Sequence, residues 1–378
     1  MALTPMQRLV GRVWNPRHLR NLRFLLCLVA ACTDTQAPND VDRMTIQIVT
    51  ALAPTVGERA IVRHDPSLMP DLAEALSEHL QQAGAVVERI PYGPVDGFAE
   101  KLRQADIYIW LPDSTARGTT PDQAATLGAW LDAGRGRQIH FHWGGGTQAM
   151  DGLPGEHGPA YDSVYLAALE IDYQALDSTQ QAAIALLRSG PVRITTPAGT
   201  DLTFSLGDRP VNQQNGDASA TRMRSARIRI DREIELPAGV IRVAPVERTI
   251  VGRMVVPSVR FGSGTADTLV LEIRAGRIES YSATSGVEHY SAELETSPAL
   301  RFFREVAIGF NPALRTPPGG TWLPYYGYGP GVVRLSLGNN TELGGIVTGQ
   351  GVRWLFFTDA TVSVGADTLV TNGVLLSR

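Results

Sequence analysis

The chain has 378 residues, 43% of them apolar, and a formal net charge of −4. That is the composition of a folded globular protein with room for two cores; it excludes a disordered or fibrous chain. No basic run is present and Lys101 is the only lysine, so nothing in the charge pattern suits nucleic acid. Both cysteines, Cys27 and Cys32, lie in the first 39 residues, which leaves the body without a disulfide or a thiolate metal site.

In chain order, residues 1–39 read as an N-terminal extension. Its apolar run over residues 24–31 is eight residues long, far short of the ~20 that span a bilayer. A cytoplasmic protein is the expectation, with the alternative of lipid attachment at Cys32, since Val29-Ala30-Ala31-Cys32 has the form of a lipoprotein cleavage box. From 40 to 190, strand-like and helical runs alternate. Strands are expected at 59–63, 85–90, 105–111 and 137–143. Helices are expected at 70–83, 97–104, 121–133 and, one or two of them, across 164–187. That alternation predicts an α/β domain with a doubly wound sheet. From 191 to 378 the texture predicts a mainly β (α+β) domain. Strands are expected at 192–195, 202–206, 227–230, 239–244, 250–256, 268–274, 277–282, 352–357, 361–364 and 368–376, with one helix near 297–305.

Few residues advertise chemistry. His140 and His142 share one face of a strand, because side chains alternate with period two, and two imidazoles so placed can bind zinc. No third ligand sits near them in sequence, so a structural or surface role is expected. Gly144–Gly146 lacks the lysine of a phosphate loop and reads as a turn. No GxSxG or HExxH element occurs.

The informative stretches come later. Gly199-Thr200-Asp201-Leu202-Thr203-Phe204, followed by Arg209, resembles the GTDLTF…R element of the aminopeptidase T/aminopeptidase S metallopeptidases. Leu236-Pro237-Ala238-Gly239 with Ala244-Pro245 resembles that family's LPxGE…AP. Arg304-Glu305 with Gly309-Phe310-Asn311-Pro312 resembles GE…GxNP, and residues 331–338 resemble GTxHxALG, with Gly344-Gly345 after them. Phe357-Thr358-Asp359 falls where the family has HxD. The resemblance runs in order from about residue 40 to the C-terminus. It implies a two-domain, usually dimeric metallo-aminopeptidase scaffold whose metals are held by carboxylates, histidines and a tyrosine.

Carried across residue by residue, the resemblance puts Val240, Arg334 and Phe357 at three ligand positions. The tyrosine position falls near Thr341 or Leu343, and Glu305 and Asp359 remain as acids. Only His289 follows His157, so no shift of register supplies two histidines. Two carboxylates without imidazole make a weak site for zinc or cobalt. The expectation is a protein with no bound metal and no other cofactor, binding a peptide or precursor peptide without cleaving it, as a homodimer beside partner biosynthetic enzymes. Trp322, Tyr325, Tyr326 and Tyr328, from a dense aromatic run, are candidate ligand contacts together with Arg334; packing at an interface is the other use for such rings. Arg334 is also expected to neutralise Glu305 and Asp359 in place of a metal. The alternative function is a metal-dependent oxygenase or aminopeptidase with a remodelled ligand set.

Overall fold

In the computed structural model, residues 39–377 apart from 114–117 and 144 are described. The apolar run at 24–31, Cys27, Cys32 and Gly144 therefore lie outside the described residues. The first helix, α1 (Asp40–Leu52), is N-capped by Asn39, whose side chain accepts from the Asp42 amide at 2.9 Å, and it buries Met44, Ile48 and Leu52 at a spacing of four. It is followed by β1 (Arg59–His64), α2 (Pro70–Gln82), β2 (Val86–Pro91), α3 (Phe98–Gln104), β3 (Ile107–Trp110), α4 (Pro121–Asp132) and β4 (Arg137–Phe141). Thr120 and Gln123 form a capping box on α4. Two helices close this region, α5 (Pro159–Leu169) and α6 (Tyr173–Arg188).

Next come β5 (Val192–Thr195), β6 (Asp201–Phe204), β7 (Asn212–Gln214), the short α7 (Ala220–Met223), β8 (Glu233–Leu236) and β9 (Val240–Val243). After these run β10 (Val251–Phe261), β11 (Gly264–Arg274), β12 (Arg277–Ser282), α8 (Val287–Thr296), β13 (Phe303–Gly309) and β14 (Val333–Gly338). The chain finishes with β15 (Val352–Phe357), β16 (Thr361–Val364), β17 (Asp367–Thr371) and β18 (Val374–Leu375). Two sequence expectations need correction. Residues 229–232 form a 3-10 turn, and the strand lies just beyond, at β8. No α-helix covers 297–305: α8 ends at Thr296, residues 298–301 form a 3-10 turn, and Glu305 stands on strand β13.

Three sheets result. The first, in order β2-β1-β3-β4-β8, is wholly parallel. Val62, Ile107, Ile109, Ile139 and Phe141 pack under α1, α2 and α5, while Ile61 and Tyr108 pack under α3 and α4 on the opposite face. This is the doubly wound arrangement expected of the α/β class. β8, which completes the first sheet, comes from the stretch after residue 191. The second sheet (β12-β11-β10-β6-β5-β16-β17-β18) and the third (β15-β14-β13-β9-β7) are antiparallel. They share one apolar core, to which Phe204, Met254, Ile273, Val306, Leu335 and Phe357 belong.

Candidate functional site

The third sheet has one apolar face and one charged face, as period-two alternation requires. Ile241, Val243, Val306, Ile308, Val333, Leu335 and Phe357 fill the shared core. The opposite face carries Val240, Arg242, Glu305, Ala307, Arg334, Ser336, Trp354 and Phe356. Ala307 stands between Arg242 and Arg334 in register, and Glu305 stands opposite Ser336. Arg304 is the extra residue of a bulge between Phe303 and Glu305, which lets two consecutive side chains reach one cluster.

Glu305 is fully buried at the centre of this face. Its Oε2 accepts from Arg242 Nη2 at 3.0 Å and Nε at 3.3 Å. Its Oε1 pairs with Arg334 Nη2 at 2.9 Å and accepts from Arg334 Nε at 3.1 Å and the Ser336 hydroxyl at 3.3 Å. Arg304 Nε lies 3.6 Å from Oε2. Burial alone would raise this carboxyl's pKa, but Arg242, then Arg334 and Arg304, outweigh it and hold the group far below the usual carboxylate range. A second carboxylate, Glu342, binds Arg242 Nη2 at 3.0 Å and also Arg304.

The candidate positions separate on this sheet. Arg334 meets Glu305, and its guanidinium also lies over the Trp354 ring, 4.9 Å from the centroid. Val240 shares the charged face but packs with Tyr165, Tyr325 and Tyr328. Phe357 points into the core on the other face; Phe356 is the residue opposite Arg334. Asp359 is exposed and takes no part in the cluster, whose second acid is Glu342, between Thr341 and Leu343.

Several of the motif stretches serve to lock backbone together. The Phe310 amide donates to Gly239 O at 2.7 Å, and Asn311 Nδ2 donates to Ala238 O at 2.7 Å and Ala168 O at 3.1 Å. Arg209 binds Glu247 and the Gly344 carbonyl, while Glu247 accepts from Asn340 at 3.2 Å.

The aromatic run is mostly interior. Tyr325 and Tyr328 are 0% and 1% exposed, so neither presents a surface to a ligand. Tyr325 Oη donates to Leu236 O at 2.7 Å, its amide donates to Tyr165 Oη at 3.0 Å, and Tyr328 Oη donates to Glu235. Leu323 exchanges two backbone hydrogen bonds of 2.8 Å with Gln148. The loop thus ties the end of the first sheet to the charged face of the third. Trp322 and Tyr326 are only partly buried, and Tyr326 Oη lies 3.2 Å from His142 Nδ1.

The strands at that end of the first sheet supply what sequence proximity could not. His140 on β4 stands opposite Glu235 on β8, with Glu233 two residues along on the same face. His140 Nδ1 lies 3.4 Å from Glu233 Oε1. His140, Glu233 and Glu235 each bring one donor atom into a group no more than 4.8 Å across, all three half-buried. The His142 ring centroid is 3.8 Å from that of His140. Burial, helped by His140, holds the His142 pKa well below the usual histidine range, so its ring is neutral. The sequence places no third ligand near the histidines; across the sheet, the neighbouring strand brings two acids beside His140. Glu233, Glu235, Arg242, Arg304 and Glu342 were not sequence candidates. The alternation Glu233-Ile234-Glu235-Leu236, once recognised as a strand, puts both acids on one face.

A cavity of about 660 Å³ opens beside the ion cluster, lined by Asp132, Arg227, Arg229, Arg232, Arg304 and Glu342 among others. A second, of about 720 Å³, lies between α6 and β7 and includes Tyr173, Asp177, Arg188 and Arg222.

No family model matches the chain, and no curated protein matches it in sequence. Solved structures do match in fold. A 2,5-dihydroxypyridine dioxygenase from Pseudomonas putida KT2440 superimposes with a TM-score of 0.62 at 17% identity, covering 90% of this chain and 99% of its own. AmpT, the aminopeptidase T of Thermus thermophilus, gives 0.55 at 15% identity, covering 89% and 99%.

Proposed function

We propose that this aminopeptidase-like scaffold binds a peptide without cleaving it at the third sheet. The chain shares its fold, at a distance, with an aminopeptidase and a dioxygenase; the chemistry has to be argued from its own residues. The observation that carries the reading is the enclosure of Glu305 by Arg242, Arg304 and Arg334. Three guanidinium groups already neutralise this carboxylate, and a divalent ion brought beside them would be repelled. Val240 is an apolar neighbour, Arg334 is a cation, and Phe357 faces away. The metals implied by the resemblance therefore do not fit this face.

What supports a peptide as ligand is the mixed charge of the adjoining cavity. Arg229 pairs with Asp132 and Arg304 with Glu342 in its lining, beside Arg227, so a peptide's carboxylate and ammonium termini would bind by exchange with these pairs. Trp322 and Tyr326 are the aromatic side chains of the run left with surface. Presentation of a precursor peptide to biosynthetic enzymes is the setting proposed for such binding.

The test is a pair of assays on the full chain. Amino-acid anilides and short peptides, with zinc, cobalt or manganese added, should show no turnover, while calorimetry with the same peptides should show saturable binding. Turnover abolished by Glu305→Gln would refute the proposal. A second reading, an enzyme with a remodelled ligand set, is favoured by one observation, the convergence of His140, Glu233 and Glu235. It predicts turnover that Glu233→Gln removes.

A further inference from the structure

We infer that His140, Glu233 and Glu235 form a binding site for one divalent first-row transition ion, at the junction of β4 and β8. The site lies on the first sheet, apart from the Glu305 cluster, and does not rest on the reading of that cluster given above.

The parallel register sets the arrangement. Glu235 is directly across from His140, and Glu233, two residues earlier on β8, turns the same way. Both acids and the imidazole therefore project from one face of a rigid sheet; His140 and Glu235 lie near the carboxyl ends of β4 and β8, where open α/β sheets receive their ligands, and Glu233 opens the short β8. α3 and α4 pack elsewhere on this face, around Tyr108, Trp130 and Leu131. The donor atoms lie within 4.8 Å of one another. Bonds of ~2.1 Å in a tetrahedral shell place donors ~3.4 Å apart, so side-chain movements of about an ångström close the set.

The charges point the same way. Among the described residues, no arginine or lysine pairs directly with Glu233 or Glu235; Arg242 and Arg229 act on Glu233 only from farther off. Arg242 is committed to Glu305 and Glu342, and Arg229 to Asp132. Two half-buried carboxylates side by side repel unless a cation joins them. His140 touches Glu233, and one imidazole supplies at most one charge.

The surroundings are also built for the task. Glu235 accepts the buried Tyr328 hydroxyl, which fixes one carboxylate oxygen. Such outer contacts orient ligands in metal sites. His140 is held edge-on to Trp110, with ring centroids 4.4 Å apart. One nitrogen and two carboxylate oxygens suit manganese, iron or zinc better than calcium or magnesium, which take oxygen alone. Three protein donors leave positions open for water or a ligand carboxylate.

The experiment uses chelator-treated, dialysed full-length protein. Manganese uptake is followed by the electron paramagnetic resonance signal of the free ion, and zinc uptake by calorimetry, with calcium and magnesium as further arms. One manganese or zinc ion per chain is expected. His140→Ala, Glu233→Gln and Glu235→Gln should each weaken binding at least tenfold. Tyr328→Phe, which removes only the positioning hydroxyl, should weaken it about tenfold, and His289→Ala should leave it unchanged. Thermal midpoints in chelator check that each variant folds, and His140→Gln replaces His140→Ala if the latter does not. No stoichiometric uptake of either ion, uptake unaffected by His140 and Glu233 substitution, or tighter binding of calcium or magnesium would overturn the inference. Peptide cleavage and peptide binding are read in separate assays, so a failure here leaves the Glu305 reading standing and the reverse also holds.

Discussion

Replacing Glu305 by glutamine should cost more stability than replacing any one of its arginine partners. In the native cluster three guanidinium groups, of Arg242, Arg304 and Arg334, face two carboxylates, Glu305 and Glu342. Glu305→Gln keeps the volume but leaves three cations against one anion in a buried site, and breaking a buried pair in this way costs ~3–5 kcal/mol. Arg334→Met keeps the aliphatic stem and leaves two cations against two anions. Glu305 then retains Arg242 and the Ser336 hydroxyl, so the cost should be ~1.5–3 kcal/mol, about that of hydrogen bonds to a charged group. Glu305 has a folded-state pKa below its unfolded one. Its contribution is therefore fully present above the ordinary glutamate range, near ~4.3, and is lost as pH falls through that range toward the depressed value. The gap between wild type and Glu305→Gln should accordingly narrow in acid. Urea unfolding followed by tryptophan fluorescence at neutral and acid pH measures both effects. A loss for Glu305→Gln within ~0.5 kcal/mol of zero, or a larger loss for Arg334→Met, would refute the charge count.

Tyr325→Phe removes a buried hydroxyl that donates to Leu236 O and should cost ~1–2 kcal/mol in the same unfolding assay. Gly239→Ala should cost at least ~3 kcal/mol or prevent accumulation of folded protein: φ is +147° there and a Cβ would sit 2.4 Å from that of Asn311, so a wild-type urea midpoint would count against it. Trp322→Ala should leave the urea midpoint close to wild type while weakening peptide binding by ~1–3 kcal/mol in calorimetry; a large stability loss with unchanged affinity would assign the ring to packing alone.

The α/β half of the fold was legible because its signals are local. Leu72, Leu76 and Leu80 mark α2 by their spacing, and runs such as Ile107–Trp110 mark buried strands. The helix expected over Ser297–Glu305 was not found because a 3-10 turn occupies Pro298–Arg301, and just beyond it a β-bulge at Arg304 places two charged residues in succession on a strand, which breaks the alternation by which strands are recognised. The candidate site was legible only in part. Arg334 could be matched with Glu305 because charge balance requires a partner for a buried acid. Glu342 and Arg242 could not, since their approach depends on register across β9, β13 and β14 and on a 3-10 turn after β14. His140 and Glu235 are separated by 95 positions in the chain yet stand opposite each other, a relation that no spacing rule carries.

The position of β8 also bears on how the chain is made. The ribosome releases β1 to β4 well before residues 233–236, so for that interval β4 presents an unpaired edge. An open, apolar parallel edge is a template for pairing with another chain. A fragment ending at residue 190 would keep that edge permanently, and it should be recovered as aggregates unless a peptide containing Glu233–Leu236 is supplied in trans.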